Sequence, residues 1–169
     1  MSHVDSVSQA SQDDAELIKT LRRELEQTRA WQSHILQALD HLQSGIVMYG
    51  PDDVLVFCNR RFREIYPEIA DILVPGTPYS EIARAFYRRE FHNRTELSED
   101  EYVSSRVAQH LNPDECDDEY LMGPETWILA SDRKTSDGGV IGFRLDISER
   151  KRAEKRLAET EMRVTAELE

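Results

Sequence analysis

Cysteine is scarce in this chain of 169 residues, which contains only Cys58 and Cys116. The two residues lie far apart in the sequence and do not form the Cys-x-x-Cys spacing of a zinc or redox site. Disulfides are rare in proteins of reducing compartments. The sequence therefore predicts two reduced thiols in a cytoplasmic protein.

Long hydrophobic runs are also absent. The longest runs, such as Val54 to Cys58, are far shorter than the roughly 20 apolar residues that a membrane-spanning helix needs. Residues 1–16 are polar and acidic, without the basic and then apolar pattern of a secretory signal peptide. We therefore expect no membrane insertion.

Basic residues are outnumbered, since 21 Lys and Arg stand against 33 Asp and Glu, and the formal net charge is −12. Proteins bind nucleic acid largely by displacing counterions with basic surface, which this composition does not favour. Attraction to an anionic membrane is disfavoured for the same reason. The sequence predicts no nucleic-acid partner and no membrane partner.

Glycine and proline are missing from Asp14 to Leu42, and the apolar residues there fit a heptad repeat. Such a repeat predicts a coiled-coil helix over residues 14–43, preceded by a disordered tail over residues 1–13. The alternative is one amphipathic helix packed on its own domain. We expect a homodimer, with its interface formed by Ile18, Leu21, Leu25, Trp31, Ile35, Leu39 and Leu42.

Residues 44–147 alternate short apolar runs with turn signals, in the order strand, strand, several short helices, then three strands. This order predicts an α+β domain. Asn59 follows the second strand as a helix N-cap, and Ser98 with Glu101 matches a capping box. Asp137-Gly138 is a strong hairpin signal between the last two strands.

The segment from Gly139 to Glu154 joins the last strand directly to a helix, without a loop-forming Gly or Pro at the joint. Ser148 is predicted to be the N-cap, with its hydroxyl accepting from a backbone N–H of the first turn. No Gly or Pro follows up to Leu168, so we predict a C-terminal helix over residues 148–169. A sheet that continues into a helix through so short a joint can transmit force, which indicates a sensor.

Asp146-Ile147-Ser148, followed by Glu149-Arg150-Lys151, resembles the joint that ends many bacterial PAS domains and begins their signalling helix. The Asp137-Gly138-Gly139 turn and the hairpin from Gly45 to Asn59 resemble the same family. The resemblance implies a PAS fold over residues 44–147, with one antiparallel sheet in the order 2-1-5-4-3 and short helices on one face. It also implies that Asp146, Ile147, Ser148 and Arg150 relay the signal, with Asp146 tying the joint to the domain.

PAS domains often hold a ligand between the sheet and the middle helices. Strand alternation and helix spacing give each element an apolar face. The pocket candidates are Ile46, Met48, Leu55, Phe57, Phe86, Val107, Trp127, Leu129, Ile141 and Phe143.

The identity of a cofactor stays open, and neither flavin nor haem is favoured. The segment from Cys58 to Phe62 lacks the residue order of the flavin photosensors, and it stands at the end of a strand. His92 and His110 are the only candidates for an axial haem ligand on a middle helix, and both are expected on the surface. His110 would be the ligand if haem were bound, and we predict no other metal site. The acidic run from Asp114 to Glu119 lacks the pattern of a calcium loop.

No nucleophile with its base, phosphate-binding loop or paired-carboxylate motif is visible, so we expect no enzyme activity. The favoured function is a sensory and dimerising module of a bacterial signal-transduction protein. Its output would be a histidine kinase or diguanylate cyclase domain, or a partner protein. The alternative is a constitutive assembly module with a filled core and no ligand.

Overall fold

The computed structural model describes the backbone of residues 2–113 and 117–167 and the side chains of residues 14–113 and 117–163. Two separate units make up the chain, one ending at His41 and the other beginning at Leu42. Cys58 is buried, and its thiol donates to the Leu73 carbonyl at 3.6 Å. Cys116 and the first part of the acidic run lie outside the described residues.

The first unit is one helix, α1 (Ser2–Asp40). It begins at Ser2 and so includes most of residues 1–13, for which the disordered tail stays a prediction. A nucleated helix propagates residue by residue until something stops it, and the sequence holds no Gly or Pro before Gly45.

The α1 helix carries an exposed apolar stripe that a single helix cannot bury. Leu17, Ile18, Leu21, Leu25, Trp31, Ile35 and Leu36 are exposed. Leu39 is half-buried, and Leu42, in the second unit, is exposed. Helices of this kind owe most of their stability to packing of the apolar face rather than to intrinsic propensity.

The second unit contains one antiparallel sheet of five strands in the order β2-β1-β5-β4-β3, as the sequence predicted. The first and last strands are neighbours at its centre. In the last hairpin the Thr135 N–H donates to the Gly139 carbonyl and the Gly138 N–H donates to the Thr135 carbonyl. Gly138 takes the positive φ that this turn requires. The strands are β1 (Gly45–Tyr49), β2 (Leu55–Cys58), β3 (Asp118–Leu121), β4 (Trp127–Lys134) and β5 (Val140–Asp146).

Three helices connect β2 to β3, and a fourth follows β5. Their bounds are α2 (Arg60–Ile65), α3 (Tyr79–Phe86), α4 (Glu99–Leu111) and α5 (Ser148–Glu167). A 3-10 turn, Pro67–Ile69, follows α2, and a π-helical turn, Tyr87–Phe91, extends α3. Both predicted N-terminal caps form. Asn59 accepts from the Phe62 N–H at the start of α2, and the Ser98–Glu101 capping box stands at the start of α4.

Candidate functional site

A cavity of about 610 Å³ lies between the sheet and the helices of the second unit. This volume is within the range of pockets that hold small organic ligands. Apolar side chains from β1 and the helices form much of its wall, namely Val47, Phe62, Ile69, Ile82, Phe86 and Phe91. Five tyrosines complete the aromatic part of the lining: Tyr49, Tyr66, Tyr79, Tyr102 and Tyr120.

The tyrosine hydroxyls give the cavity polar contacts without negative charge. The Tyr66 and Tyr120 hydroxyl oxygens are 2.5 Å apart and share a hydrogen bond. Burial raises the pKa of Tyr49, Tyr79, Tyr102 and Tyr120 above the ordinary value for a phenol. These hydroxyls therefore remain protonated at neutral pH, where they can both donate and accept hydrogen bonds.

The buried Arg144 on β5 and the half-buried Asp132 on β4 form an ion pair in the cavity wall. Two guanidinium nitrogens donate to the two carboxylate oxygens at 2.7 and 3.1 Å. The Arg144 Nε–H donates to the Tyr66 hydroxyl at 3.2 Å. Gly142 makes room for this pair, since a Cβ there would lie 2.5 Å from an Asp132 carboxylate oxygen. The pair is locally neutral and is held in place by its own hydrogen bonds.

Arg106 enters the cavity from α4 and has no such counterion. Its guanidinium donates to the Gln109 side-chain oxygen at 3.1 Å and lies within hydrogen-bonding reach of the Tyr79 hydroxyl. Among the described side chains, those of residues 14–113 and 117–163, no carboxylate lies in ion-pair distance of it. Arginine stays protonated in proteins, so the cavity retains this positive charge.

His110, also on α4, is a buried residue, which corrects the prediction of a surface histidine. Its ring stacks on Tyr79 with the centroids 3.9 Å apart, and its Nε2 lies 3.1 Å from an Asp53 carboxylate oxygen. This contact is not aligned as a hydrogen bond. The His110 Nε2 and the Asp53 Oδ1 therefore have no hydrogen-bond partner among the described residues. Burial lowers the pKa of His110 to about 4, so the ring is neutral at pH 7.

The two histidines considered as haem ligands, His92 and His110, lie in different surroundings. His92 is exposed on the surface, as expected. His110 has its ring against Tyr79 and its Nε2 beside Asp53. Across the described part of the chain, no three His, Cys, Asp or Glu side chains are grouped so that they could hold a metal ion.

The pocket prediction assigned the wrong face to most strand residues. Of the ten candidates only Phe86 lines the cavity, while Leu55 belongs to the core and Val107 packs beside Tyr102. The other seven lie on the outer face of the sheet, as the strand registers require: Ile46, Met48, Phe57, Trp127, Leu129, Ile141 and Phe143. The strands are apolar on both faces, so alternation alone did not determine which face was inside.

At the joint between β5 and α5, the carboxylate of Asp146 performs the capping that was predicted for Ser148. Its Oδ1 accepts from the backbone N–H of Ser148 at 2.9 Å and from the Ser148 hydroxyl at 2.6 Å. The Ser148 hydroxyl in turn accepts from the Trp127 N–H at 3.0 Å, which connects the joint to β4. Ile147 is buried, and Arg61 lies 3.9 Å from Asp146.

Two cations of the first turn of α5 bind one carboxylate on β3. Glu119 contacts Arg150 and Lys151, each at 2.5 Å. The Lys151 ammonium also lies over the Trp127 ring, 5.2 Å from its centroid. Hydrogen bonds from Lys151 and Arg150 lower the pKa of Glu119. Sequence reasoning identified Arg150 but missed Glu119, because no local pattern pairs residues so far apart in the chain.

The edge strand β3 therefore faces two sites at once. Its Tyr120 side chain reaches the cavity and bonds Tyr66, while the neighbouring Glu119 carboxylate binds α5. Successive side chains of a strand point to opposite faces, so this division follows from strand geometry.

Comparison of the sequence with family models gives a match to the PAS fold over residues 39–155. The chain belongs to the PAS family. Its PAS domain includes the five strands, the cavity, the joint and the first turns of α5. Members of this family generally serve as sensory modules. No curated protein matches the chain significantly.

Solved structures with the same fold share little sequence with this PAS domain. A domain of a sensory box sensor histidine kinase/response regulator from Geobacter sulfurreducens is 14% identical, with a TM-score of 0.43, covering 69% of this chain and 96% of that one. The PAS domain of Bordetella pertussis BvgS is 16% identical, with a TM-score of 0.45 and coverages of 79% and 98%. The PAS domain of an HTR-like protein from Haloarcula marismortui is 10% identical, with a TM-score of 0.42 and coverages of 75% and 99%.

Over the residues that the structure describes, no helix combines the length and apolar character needed to cross a bilayer. The C-terminal α5 is among the most polar elements, and its Leu157 and Met162 side chains are exposed.

Proposed function

We propose that this PAS domain is the sensory and dimerising module of a bacterial signal-transduction protein. A ligand in the cavity, or a partner bound to the domain, changes how firmly the start of α5 is held. The observation that carries the proposal is the position of β3, whose Tyr120 faces the cavity and whose Glu119 holds α5.

The inner half of the proposed relay is a chain of buried polar contacts. Asp132 pairs with Arg144, Arg144 donates to Tyr66, and Tyr66 shares a hydrogen bond with Tyr120. A ligand hydroxyl or carboxylate that competes for one of these tyrosines would break the chain at β3. Buried polar networks of this kind have discrete arrangements, because a partly satisfied network is costly.

The outer half of the proposed relay is weaker and is suited to switching. Glu119, Arg150 and Lys151 are partly exposed, so water screens each ion pair and each contributes little to stability. Asp146, Ile147 and Ser148 hold the joint beside them. A small movement of β3 is therefore sufficient to release the first turn of α5 without unfolding the sheet.

The exposed stripe of α1 supports assembly as a homodimer through a coiled coil. Its predicted interface residues remain accessible along the helix, including Leu25 and Trp31. In such a dimer the α5 helices pass the signal to a histidine kinase or diguanylate cyclase domain, or to a partner protein. We expect the module to work in the cytoplasm and to have no catalytic activity of its own.

A constitutive assembly module is the second candidate. One observation favours it, since Arg144, Asp132, Tyr66 and Tyr120 already satisfy one another without a ligand. In this alternative the network would only stabilise the fold, and a change in the network would not alter α5.

Tyr120→Phe separates the two candidates, because it removes only the hydroxyl that joins β3 to Tyr66. The relay predicts faster amide exchange over residues 149–157, measured by mass spectrometry, with the central strands unchanged. Tyr102→Phe is the matched control, since Tyr102 also lines the cavity but lies on α4. Equal exchange over residues 149–157 in wild type, Tyr120→Phe and Tyr102→Phe would leave only the assembly module.

Glu119→Gln locates the next step of the relay. If Tyr120 acts through Glu119, this variant alone loosens residues 149–157, and the double variant with Tyr120→Phe loosens them no further. Glu125→Gln is the control, because Glu125 is exposed just before β4. Additive effects in the double variant would mean that the cavity and Glu119 act on α5 independently.

A further inference from the structure

Among the side chains that the structure describes, the charges inside the cavity do not balance. Arg144 is matched by Asp132 through two hydrogen bonds and gives further N–H groups to Tyr66 and to the Phe143 carbonyl. His110 is neutral at pH 7, since burial lowers its pKa to about 4. The guanidinium of Arg106 is the charge that remains.

The remaining charged side chains of the lining do not compensate for Arg106. The Glu119 carboxylate is engaged by α5, and Asp118 is exposed at the cavity mouth. Arg94, also exposed at the mouth, lies 3.6 Å from Glu90 and donates to the Met122 carbonyl. Burial raises the pKa values of Tyr79, Tyr102 and Tyr120, so these three hydroxyls stay protonated and add no negative charge.

Arg106 has hydrogen-bond donors to offer a ligand. A guanidinium carries five N–H donors in a planar fork, and Gln109 accepts from one of its nitrogens at 3.1 Å. The hydroxyls of Tyr79 and Tyr102 belong to the same part of the lining. A carboxylate matches this arrangement, because it accepts two parallel N–H bonds from an arginine and a third bond from a hydroxyl.

Other residues of the cavity lining favour a different chemistry. Val47, Phe62, Ile69 and Ile82 give the cavity an apolar and aromatic wall. A ligand that fills the whole cavity therefore needs an apolar or aromatic body of limited size together with a single anionic group. A polyanion would leave negative charge against the apolar wall, where its desolvation would be costly.

We infer that the cavity binds a small aryl or apolar carboxylate, and that Arg106 is its anion-binding residue. This inference rests on the proposed sensory function and gives it a ligand class. The carboxylate lies at the α4 side of the cavity, between Arg106 and the Tyr79 hydroxyl, and its body lies against the wall formed by β1 and α2.

Matched pairs of acids and amides test the charge requirement, because the members of a pair differ little in shape. Suitable pairs are benzoate and benzamide, 4-hydroxyphenylacetate and its amide, and indole-3-acetate and its amide, titrated into the full chain by calorimetry. At least one carboxylate should bind with a Kd below about 1 mM and about tenfold or more tighter than its amide, the range of a charge-assisted hydrogen bond.

Arg106→Met should abolish the preference for the carboxylate, whereas Arg106→Lys should keep most of it. Arg94→Met is the matched control, since Arg94 is at the mouth, and it should retain the preference. If Arg106→Met does not fold, the wild-type comparison of acid with amide still decides the question. Weaker binding of the carboxylate at higher salt provides a second measurement that needs no variant.

The outcomes distinguish this inference from the function on which it rests. Equal binding of acid and amide overturns the anion site and leaves a cavity that binds neutral ligands, as a sensor can. Carboxylate binding that depends on Arg106, without any change in amide exchange over residues 149–157, supports the anion site and contradicts the relay. Failure of every carboxylate to bind below about 1 mM overturns the inference.

Discussion

At the scale of single residues, buried polar side chains hold this PAS domain together at defined points. Asn59 is fully buried and accepts from the Ile46 and Phe62 N–H groups at 2.8 and 3.0 Å. Its amide donates to the Ser44 carbonyl at 2.9 Å. One side chain therefore caps α2 and fixes the start of β1. His110 is the buried polar side chain of α4, and the stability of the fold depends on its ring staying neutral.

The neutral His110 predicts a loss of stability in mild acid. Its folded pKa of about 4 lies below the ordinary value of 6.5, so protonation is favoured in the unfolded chain. The neutral ring's contribution to the free energy of unfolding is complete above about pH 6.5 and is lost as the pH falls toward 4. Between pH 7 and pH 5 the free energy of unfolding should decrease by about 1–2 kcal/mol more in wild type than in His110→Phe.

Urea unfolding at the two pH values measures this difference, and the stacked partner Tyr79 is retained in both proteins. His92→Phe is the control, because His92 is exposed. It should show the same pH dependence as wild type. Identical pH dependence in wild type and His110→Phe would show that burial of His110 carries no proton-linked stability.

At the scale of elements, α5 begins where three strands supply contacts to it. Asp146 ends β5, the Trp127 N–H of β4 bonds the Ser148 hydroxyl, and Glu119 of β3 binds the cations of the first turn. The helix is otherwise polar, with exposed Leu157 and Met162 side chains. Its first turn is therefore the part of α5 whose order depends on the domain.

Asp146→Ala should loosen this first turn and leave the sheet intact. The change removes the acceptor of the Ser148 N–H and hydroxyl, and because the carboxylate is 39% exposed we expect a cost of about 1–2 kcal/mol. Amide exchange over residues 149–157 should become faster. Asp146→Asn is the matched control. It keeps an acceptor oxygen, so it should lose less stability and protect residues 149–157 better than Asp146→Ala does. Unchanged exchange in Asp146→Ala would mean that Asp146 does not hold the helix.

At the scale of the whole molecule, one unit offers a cavity and the other offers an apolar helix surface. The α1 stripe has the spacing of a coiled-coil seam, with Gln32 and Thr28 as polar positions within it. A stripe of this length exposed to water is unfavourable for a monomer. Pairing of two α1 helices would bury it.

Leu25→Asp should shift the protein from dimer toward monomer, because it would bury an uncompensated charge in the proposed seam. Sedimentation at roughly tens of micromolar, where a coil of moderate strength is paired, measures the change. Gln27→Asp is the control. It adds the same charge, but residue 27 lies outside the core positions of the heptad repeat. A monomeric wild type under these conditions would contradict the coiled coil.

Local chemistry was sufficient to predict the order of elements and several of their ends. Asn59, the Ser98–Glu101 pair and Asp137-Gly138 each act on backbone groups a few residues away, so their effects can be recognised in a short segment. The strand order came from the family resemblance, which the sheet confirms. The joint at Asp146 was located in the same way, although its cap proved to be the carboxylate rather than the Ser148 hydroxyl.

Only the tertiary structure decided which strand face lines the cavity and which charges meet there. Val47 and Tyr49 turn inward and Ile46 and Met48 outward, because Gly45 must lie against α2, where a Cβ would be 2.9 Å from Phe62. The contacts between Arg144 and Asp132 and between Glu119 and Arg150 join residues of different strands and helices. No periodicity within one segment encodes such pairs, since they exist only after the sheet has brought distant parts of the chain together.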